Sequence, residues 1–474
     1  MKINRFMIAA PKSGSGKTMI TCALLQLLKD NGKNVSSYKC GPDYIDPMFH
    51  KKVLGVPSKN LDTFFTDEKT TVQLFLDERA DGDFAVLEGV MGLYDGLGGI
   101  YEQGSSYHLA KVTQTPIILV VDAKGMGKSV LALIAGFLQY DTQHLIKGVL
   151  LNRMSKGYYD IIKPLIEKKL SVKVVGYFPE QKDIGLSSRY LGLVMPDELS
   201  DIKKQLNETA DRLKKTIDMD LLKDIAAEAD EIGDSENADV YNEKSIGNCD
   251  QNEFSQNKAI NTVNIAVAMD EAFCFYYEDN LRLLEKCGSK LQYFSPLHDT
   301  ELPDNCDALL LGGGYPELYA KELSENISMR KSIKTAFEAG LPTVAECGGF
   351  MYLHTYIHNQ NCVFDMAGVL DGWCHFKGKL VRFGYIELEE KNSNFLPSDE
   401  KIRAHEFHYY DSTDNGTDCI ATKPATGRKY DCVISRDNYW LGFPHIYYPS
   451  NPHFAENFVK KAQEYERNKN GKLL

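Results

Sequence analysis

Ala10-Pro11-Lys12-Ser13-Gly14-Ser15-Gly16-Lys17-Thr18 stands between a short apolar run, NRFMIAA at 4–10, and MITCALLQLLKDNG, whose apolar residues recur at helical spacing and stop at Asn31-Gly32. A strand, a glycine loop and a helix in that order aim backbone N–H groups and the positive end of the helix at one point, where phosphate oxygens bind. In such a loop Gly14 and Gly16 let the backbone approach closely, Lys17 neutralises the outer phosphates and the Thr18 hydroxyl ligates Mg²⁺. Lys12, Ser13 and Ser15 complete the expected ATP-binding loop, and Pro11 takes the place of the usual first glycine.

Further strand-like runs follow at FAVLEG (84–89), PIILVVD (116–122) and IKGVLLN (146–152), alternating with helical stretches such as SVLALIAGFLQY, as a parallel α/β sheet requires. From 197 to 262 the chain turns polar and acidic, which predicts a linker, helical at first, because few large aliphatics are present to offset the entropy of ordering. VNIAVAMD (263–270) then opens a second series with DALLLGGGYPE (307–317) and LPTVAECGGFMYL (341–353). The expected fold class is α/β with two parallel-sheet domains, 1–196 and 263–474, the first of them built around the phosphate loop.

At 474 residues the chain is too long for one ordinary core. Its net charge of −12 opposes binding to nucleic acid or to anionic membrane surfaces, leaving a small anionic substrate in a local positive pocket as the acceptable anion. No apolar run approaches the roughly 18–20 residues that span a bilayer. The 11 cysteines show no C-x-x-C spacing, and the N-terminus leads straight into the phosphate loop, so the expected location is the reducing cytoplasm.

Two groups of residues carry the expected chemistry. Asp43, Tyr44, Asp46 and Glu88 lie at the carboxyl ends of presumptive strands, where open α/β sheets bind ligands. Asp43, Asp46 and Glu88 can reach Mg²⁺ and the γ-phosphate from there; Asp43 and Glu88, with Thr18, are the expected Mg²⁺ ligands, and Asp43, Tyr44 and Asp46 are expected to orient the substrate. In Ala345-Glu346-Cys347-Gly348-Gly349-Phe350 a cysteine sits on a sharp turn between strand and helix, the geometry that exposes a nucleophile. A helix N-terminus should lower its pKa, and the Gly348 and Gly314 amides should form an oxyanion hole. A thiolate acting on an amide needs a proton-transferring base. His445 is ranked first, with His405 and His408 as competitors.

The loop, with its extra Lys12, resembles the deviant phosphate loops of dimeric ATPases and dethiobiotin-synthetase-like ligases. With GPDYIDP, EGVMGLYDG, GGGYPE, AECGGFMYL, RFGY, HEFHY and the late histidine in order, nearly the whole chain resembles the cobyrinic acid a,c-diamide synthase family. The resemblance implies a dethiobiotin-synthetase-like domain joined to a class I type glutamine amidotransferase domain. It implies ATP and glutamine as co-substrates, Mg²⁺, and a tetrapyrrole carboxylic acid, cobyrinate, amidated at its a and c carboxylates through an acyl phosphate in cobalamin biosynthesis. Cys347 would carry the glutamyl thioester and His445 would activate it. Many class I enzymes place an acid two residues after the histidine; here that residue is Tyr447, with Glu406 one alternative for the role. Arg382, Tyr385 and His408 are candidates for ring contacts. The nearest rival substrates are nickel sirohydrochlorin and hydrogenobyrinic acid, and a remoter rival is an ATPase switch.

Overall fold

The computed structural model describes residues 2–77, 84–181, 199–232, 262–359 and 362–471. The chain forms two compact units, Met1–Val240 and Tyr241–Leu474. The first is built on β1 (Arg5–Ala9), β2 (Val35–Cys40), β3 (Ser58–Leu61), β4 (Phe84–Glu88), β5 (Ile117–Asp122), β6 (Ile146–Asn152) and β7 (Lys173–Phe178). Their order is β3-β2-β4-β1-β5-β6-β7, and every pairing is parallel. Runs such as FMIA in β1 and IILVV in β5 are buried without alternation, as strands covered on both faces must be.

Because β1 lies between β4 and β5, early crossovers run to one side of it and later ones to the other. The crevice at the carboxyl end of such a switch point is where open α/β sheets bind ligands. The phosphate loop leaves β1 there and enters α1 (Lys17–Asp30), while the turn after β2 enters α2 (Ile45–Lys52).

The start of the expected linker behaves differently from its composition. Helices Leu199–Lys214 and Met219–Ala227 place Leu206, Ala210, Leu213, Leu222, Ile225 and Ala226 in the core of the first unit, the former helix packing on α1. An apolar stripe at i, i+4 and i+7 is enough to dock a helix that is charged everywhere else. The more polar stretch from 233 to 261 lies outside the described residues. Leu213 is fully buried, so Leu213→Ala should cost about 2–5 kcal/mol, read as a lower denaturant midpoint for the first unit. An exposed linker position would shift it by no more than about 0.5 kcal/mol.

The second unit centres on the parallel strands Ser289–Phe294, Val263–Ala268, Ala308–Leu311, Thr343–Glu346 and Tyr439–Gly442, in that spatial order, with Ile434–Arg436 antiparallel at one edge. The parallel sheet agrees with the expected class. Residues 354–446 add a four-stranded sheet and a five-stranded antiparallel sheet, the latter containing Arg382–Glu390, Lys401–His408 and His445–Ile446.

Candidate functional site

At the carboxyl end of β1 the loop has the expected shape. Gly14 and Gly16 have φ of 74° and 92°, the left-handed region glycine enters without strain. A Cβ on Gly16 would sit 2.4 Å from Asn152 Nδ2. That amide donates to Ser15 O at 2.8 Å, and Arg153, held by Asp122, reaches Gly14 O at 3.3 Å. Asn152 and Arg153, at the end of β6, thus brace the loop from behind. The sequence reading did not single them out. Lys12, Ser13 and Gly14 form an exposed crest, while Ser15 is buried with its hydroxyl on Lys12 O.

Lys17 is buried, donating to Met91 O at 2.6 Å and reaching Lys12 O at 3.5 Å. Burial, and then the charge of Lys39, lower its pKa to about 8. The Thr18 hydroxyl donates to Glu88 Oε1 at 2.7 Å and stands 3.4 Å from Asp46 Oδ2. In register, Glu88 lies beside Ile8 of β1 and Lys39 of β2.

Lys39 is the residue that sequence reasoning missed. Its buried ammonium contacts Asp46, Glu88 Oε1 at 2.9 Å and Asp43 Oδ2 at 3.7 Å. Burial disfavours its charge, but the three carboxylates outweigh burial and raise its pKa well above the ordinary value. Burial likewise pushes Asp46 up, yet Lys39 and His50 hold it below the usual carboxylate range, while burial beside Asp46 pushes Glu88 up. His50 Nε2 is 3.6 Å from Glu88 Oε2, its Nδ1 pairs with Ser37 Oγ at 2.8 Å, and burial lowers its pKa to about 4. A lone lysine at a strand end is commonplace in sequence. Only its burial among acids marks it.

The structure therefore places Asp46 and Glu88, rather than Asp43 and Glu88, beside Thr18. The Asp43 carboxylate instead accepts from the Ile45 amide at 2.8 Å and caps the start of α2, where Tyr44 also lies. Among the described residues no group of three or more His, Cys, Asp or Glu stands ready to hold a metal. A hydroxyl flanked by two carboxylates nevertheless fits Mg²⁺ arriving with a nucleotide, which takes one or two carboxylates and completes its shell with phosphate oxygens and water.

In the second unit Cys347 has φ 46° and ψ −102° between the strand Thr343–Glu346 and the helix Gly348–Leu353. This is the strained elbow expected of a nucleophile. Its amide donates to Gly442 O at 2.8 Å, tying the elbow to the strand that leads to His445. Glycines are required around it: a Cβ on Gly349 would meet Leu311 O at 2.2 Å, one on Gly314 would meet Ala272 O at 2.0 Å, and one on Gly348 would come 3.0 Å from Gly314 N. The Gly314 and Gly348 backbones are thus neighbours. The expected lowering of the thiol pKa is not found. Burial, with the charge of Glu317 adding to it, pushes the thiol up, and the Gly348 amide opposes this only in part.

Of the three histidines, His445 is the one packed on the glycine turn, for a Cβ on Gly313 would lie 2.3 Å from its Cε1. Its Nδ1 is 3.9 Å from Glu346 Oε2, and burial lowers its pKa to about 3. His405 is its cross-strand partner, edge-on to Phe383 and Tyr385. His408 stacks on Phe443 at 4.1 Å and pairs with Tyr410 O. Glu406 is drawn elsewhere. Side chains alternate along a strand, so Glu406 faces away from the His405–His445 side, and it is held by Tyr430, Arg382 at 3.5 Å and Lys423 at 3.5 Å. Arg382 also covers the Tyr430 ring at 4.1 Å.

Comparison with known proteins follows the same division. Residues 6–191 match the family model of the CobQ/CobB/MinD/ParA nucleotide binding domain, and residues 264–451 match that of the CobB/CobQ-like glutamine amidotransferase domain. Over 467 residues the chain is 37% identical to the cobyrinate a,c-diamide synthase of Caldanaerobacter subterraneus subsp. tengcongensis, covering 98% of this chain and 99% of the relative. It is 36% identical to the synthases of the same name from Listeria innocua, with 95% and 97% covered, and from Clostridium tetani, with 96% and 99% covered. With both domains matched and that identity sustained over nearly its whole length, the chain belongs to the cobyrinate a,c-diamide synthase family.

Proposed function

We propose that this chain uses ATP and glutamine to amidate the a and c carboxylates of cobyrinate. The observation that supports this most is the presence, on one chain, of a braced phosphate loop with Thr18 set against Glu88 and Asp46, and a cysteine elbow together with His445 packed on the Gly313 turn.

A carboxylate oxygen leaves poorly until it is phosphorylated. The loop amides and Lys17 hold the γ-phosphoryl group while the substrate carboxylate attacks phosphorus, giving an acyl phosphate and ADP. Thr18, with Glu88 and Asp46, would hold Mg²⁺, which supplies charge neutralisation to the phosphates. Lys39 holds Asp46 in its charged form and fixes it beside Glu88, and Asp43 and Tyr44 border the same crevice. At the other site Cys347 Sγ attacks the carboxamide carbon of glutamine as His445 takes the thiol proton and passes it to the departing ammonia. The Gly314 and Gly348 amides face the oxyanion. Water then cleaves the thioester to glutamate, and ammonia displaces phosphate from the acyl phosphate. Cytoplasmic operation, where both co-substrates are made, agrees with the free thiols of every described cysteine. No described helix is long and apolar enough to cross a membrane.

The test is mass spectrometry of cobyrinic acid incubated with the enzyme, Mg·ATP and glutamine, with nickel sirohydrochlorin and hydrogenobyrinic acid in parallel. Two successive amidations of cobyrinic acid are expected. Turnover of another ring alone would reassign the substrate, and ATP hydrolysis indifferent to ring and ammonia source would indicate a switch.

A further inference from the structure

A histidine that must accept a proton at Nε2 works best when an acid holds its Nδ1–H, fixing the tautomer and balancing the imidazolium as it forms. Two residues after His445, Tyr447 offers no acid, and its hydroxyl is spent on Asp279 Oδ2 at 2.7 Å. Glu406 faces the opposite side of its strand. The geometry points to Glu346, the residue immediately before the nucleophile, as the acid that positions His445.

Glu346 ends the strand that carries Cys347 and pairs in register with Gly442, three residues before His445. Parallel pairing thus sets Glu346, with Cys347 after it, beside the strand that leads to His445. Glu346 Oε2 lies 3.9 Å from His445 Nδ1, and the two residues are 5% and 3% exposed. Catalytic hydrogen bonds are commonly long without substrate and tighten on binding. A small closing movement brings this pair to bonding distance.

Electrostatics agrees with this placement. Burial pushes Glu346 up to about 8, with the Ile446 amide and Tyr448 hydroxyl favouring its charged form, while burial lowers His445 to about 3. Burial disfavours either charge alone, so an imidazolium formed at His445 needs an opposing charge next to it, and Glu346 Oε2 is 3.9 Å away. The other titratable groups beside the pair are His405, His408, Tyr276, Tyr448 and Cys347. Burial keeps His405 and His408 down and the tyrosines and the thiol up, so none of them supplies the balancing negative charge. When the Cys347 proton passes to His445 Nε2, the carboxylate of Glu346 accepts from Nδ1–H and carries the opposing charge.

This assignment rests on the amidotransferase reading, and the experiment separates the two. Glutamine hydrolysis and ammonia-driven amidation are measured for the intact wild-type chain, Glu346→Gln and Glu346→Asp. Glu346→Gln should lower kcat for glutamine on the order of 10²–10⁴-fold, leave KM within about threefold and spare ammonia-driven amidation. Glu346→Asp, keeping the acid, should recover part of kcat. An unchanged kcat in Glu346→Gln overturns the assignment. So does a parallel loss of ammonia-driven amidation in both variants, which makes Glu346 structural. A wild-type chain that hydrolyses no glutamine overturns the underlying reading, and this assignment with it.

Discussion

Cys347→Ser leaves ammonia-driven amidation at the wild-type rate and lowers glutamine-driven amidation by on the order of 10⁴-fold or more. The argument begins with the elbow. Its φ of 46° and its amide bond to Gly442 O belong to the backbone, and serine preserves both, so the pocket survives. What changes is acidity. Burial already pushes the thiol up, and its proton must leave to an imidazole that burial holds near a pKa of about 3. A thiol is the easier group to ionise under such a weak base, and an alcohol several units less acidic is out of its reach. The first unit, with its own loop and core, is untouched, and exogenous ammonia replaces what the second unit would deliver. The two activities are read in parallel with ammonium salt or glutamine as donor. Loss of ammonia-driven turnover in a variant with wild-type circular dichroism would mean that the two chemistries are not separable as described.

Both sites were legible in sequence because each depends on a short contiguous pattern. The phosphate loop and the cysteine elbow are backbone devices, and glycine spacing reveals a backbone device directly: Gly14, Gly16, Gly314, Gly348 and Gly349 stand where a side chain would strain or collide. Partners set by tertiary register were not legible. Lys39 is one strand away from Glu88 and gains its meaning only from the β2–β4 register. Glu346 is adjacent to Cys347 in sequence, yet its relation to His445 depends on the neighbouring strand. Glu88, the carboxylate nearest Thr18, was named from sequence, but the second one beside it was not singled out, for a related reason. Asp43 and Asp46 are three residues apart, and only the start of α2 decides that Asp43 caps a helix while Asp46 turns toward the loop. Helix at the start of the 197–262 stretch was expected, but its docking at 199–227 was hidden by composition, since a few apolar residues at helical spacing suffice to dock an otherwise charged helix. Thiol acidity was misjudged because a helix terminus is visible in sequence, whereas desolvation is not.

Lys17→Ala should suppress glutamine-driven and ammonia-driven amidation together, on the order of 10³-fold. Lys17 is the first residue of α1, and its ammonium reaches back over the loop to the carbonyls of Met91 and Lys12. Those acceptors are neutral, and burial has lowered its pKa to about 8, so the site has placed a poorly compensated charge where phosphate arrives. A γ-phosphate supplies the missing opposite charge, and the interaction strengthens as negative charge shifts towards the leaving oxygen in transfer. That is the part of binding that accelerates a reaction. Lys39 cannot substitute, because Asp46 and Glu88 already hold it. Removing Lys17 leaves two carbonyls short of a donor but strands no ion, so the fold should persist. Glutamine hydrolysis measured without ATP or tetrapyrrole should continue at its basal rate, since Cys347 and His445 lie in the other unit. Retention of ammonia-driven amidation within about tenfold of wild type, a difference of only about 1.4 kcal/mol in the barrier, would remove Lys17 from phosphoryl transfer and leave it a loop anchor.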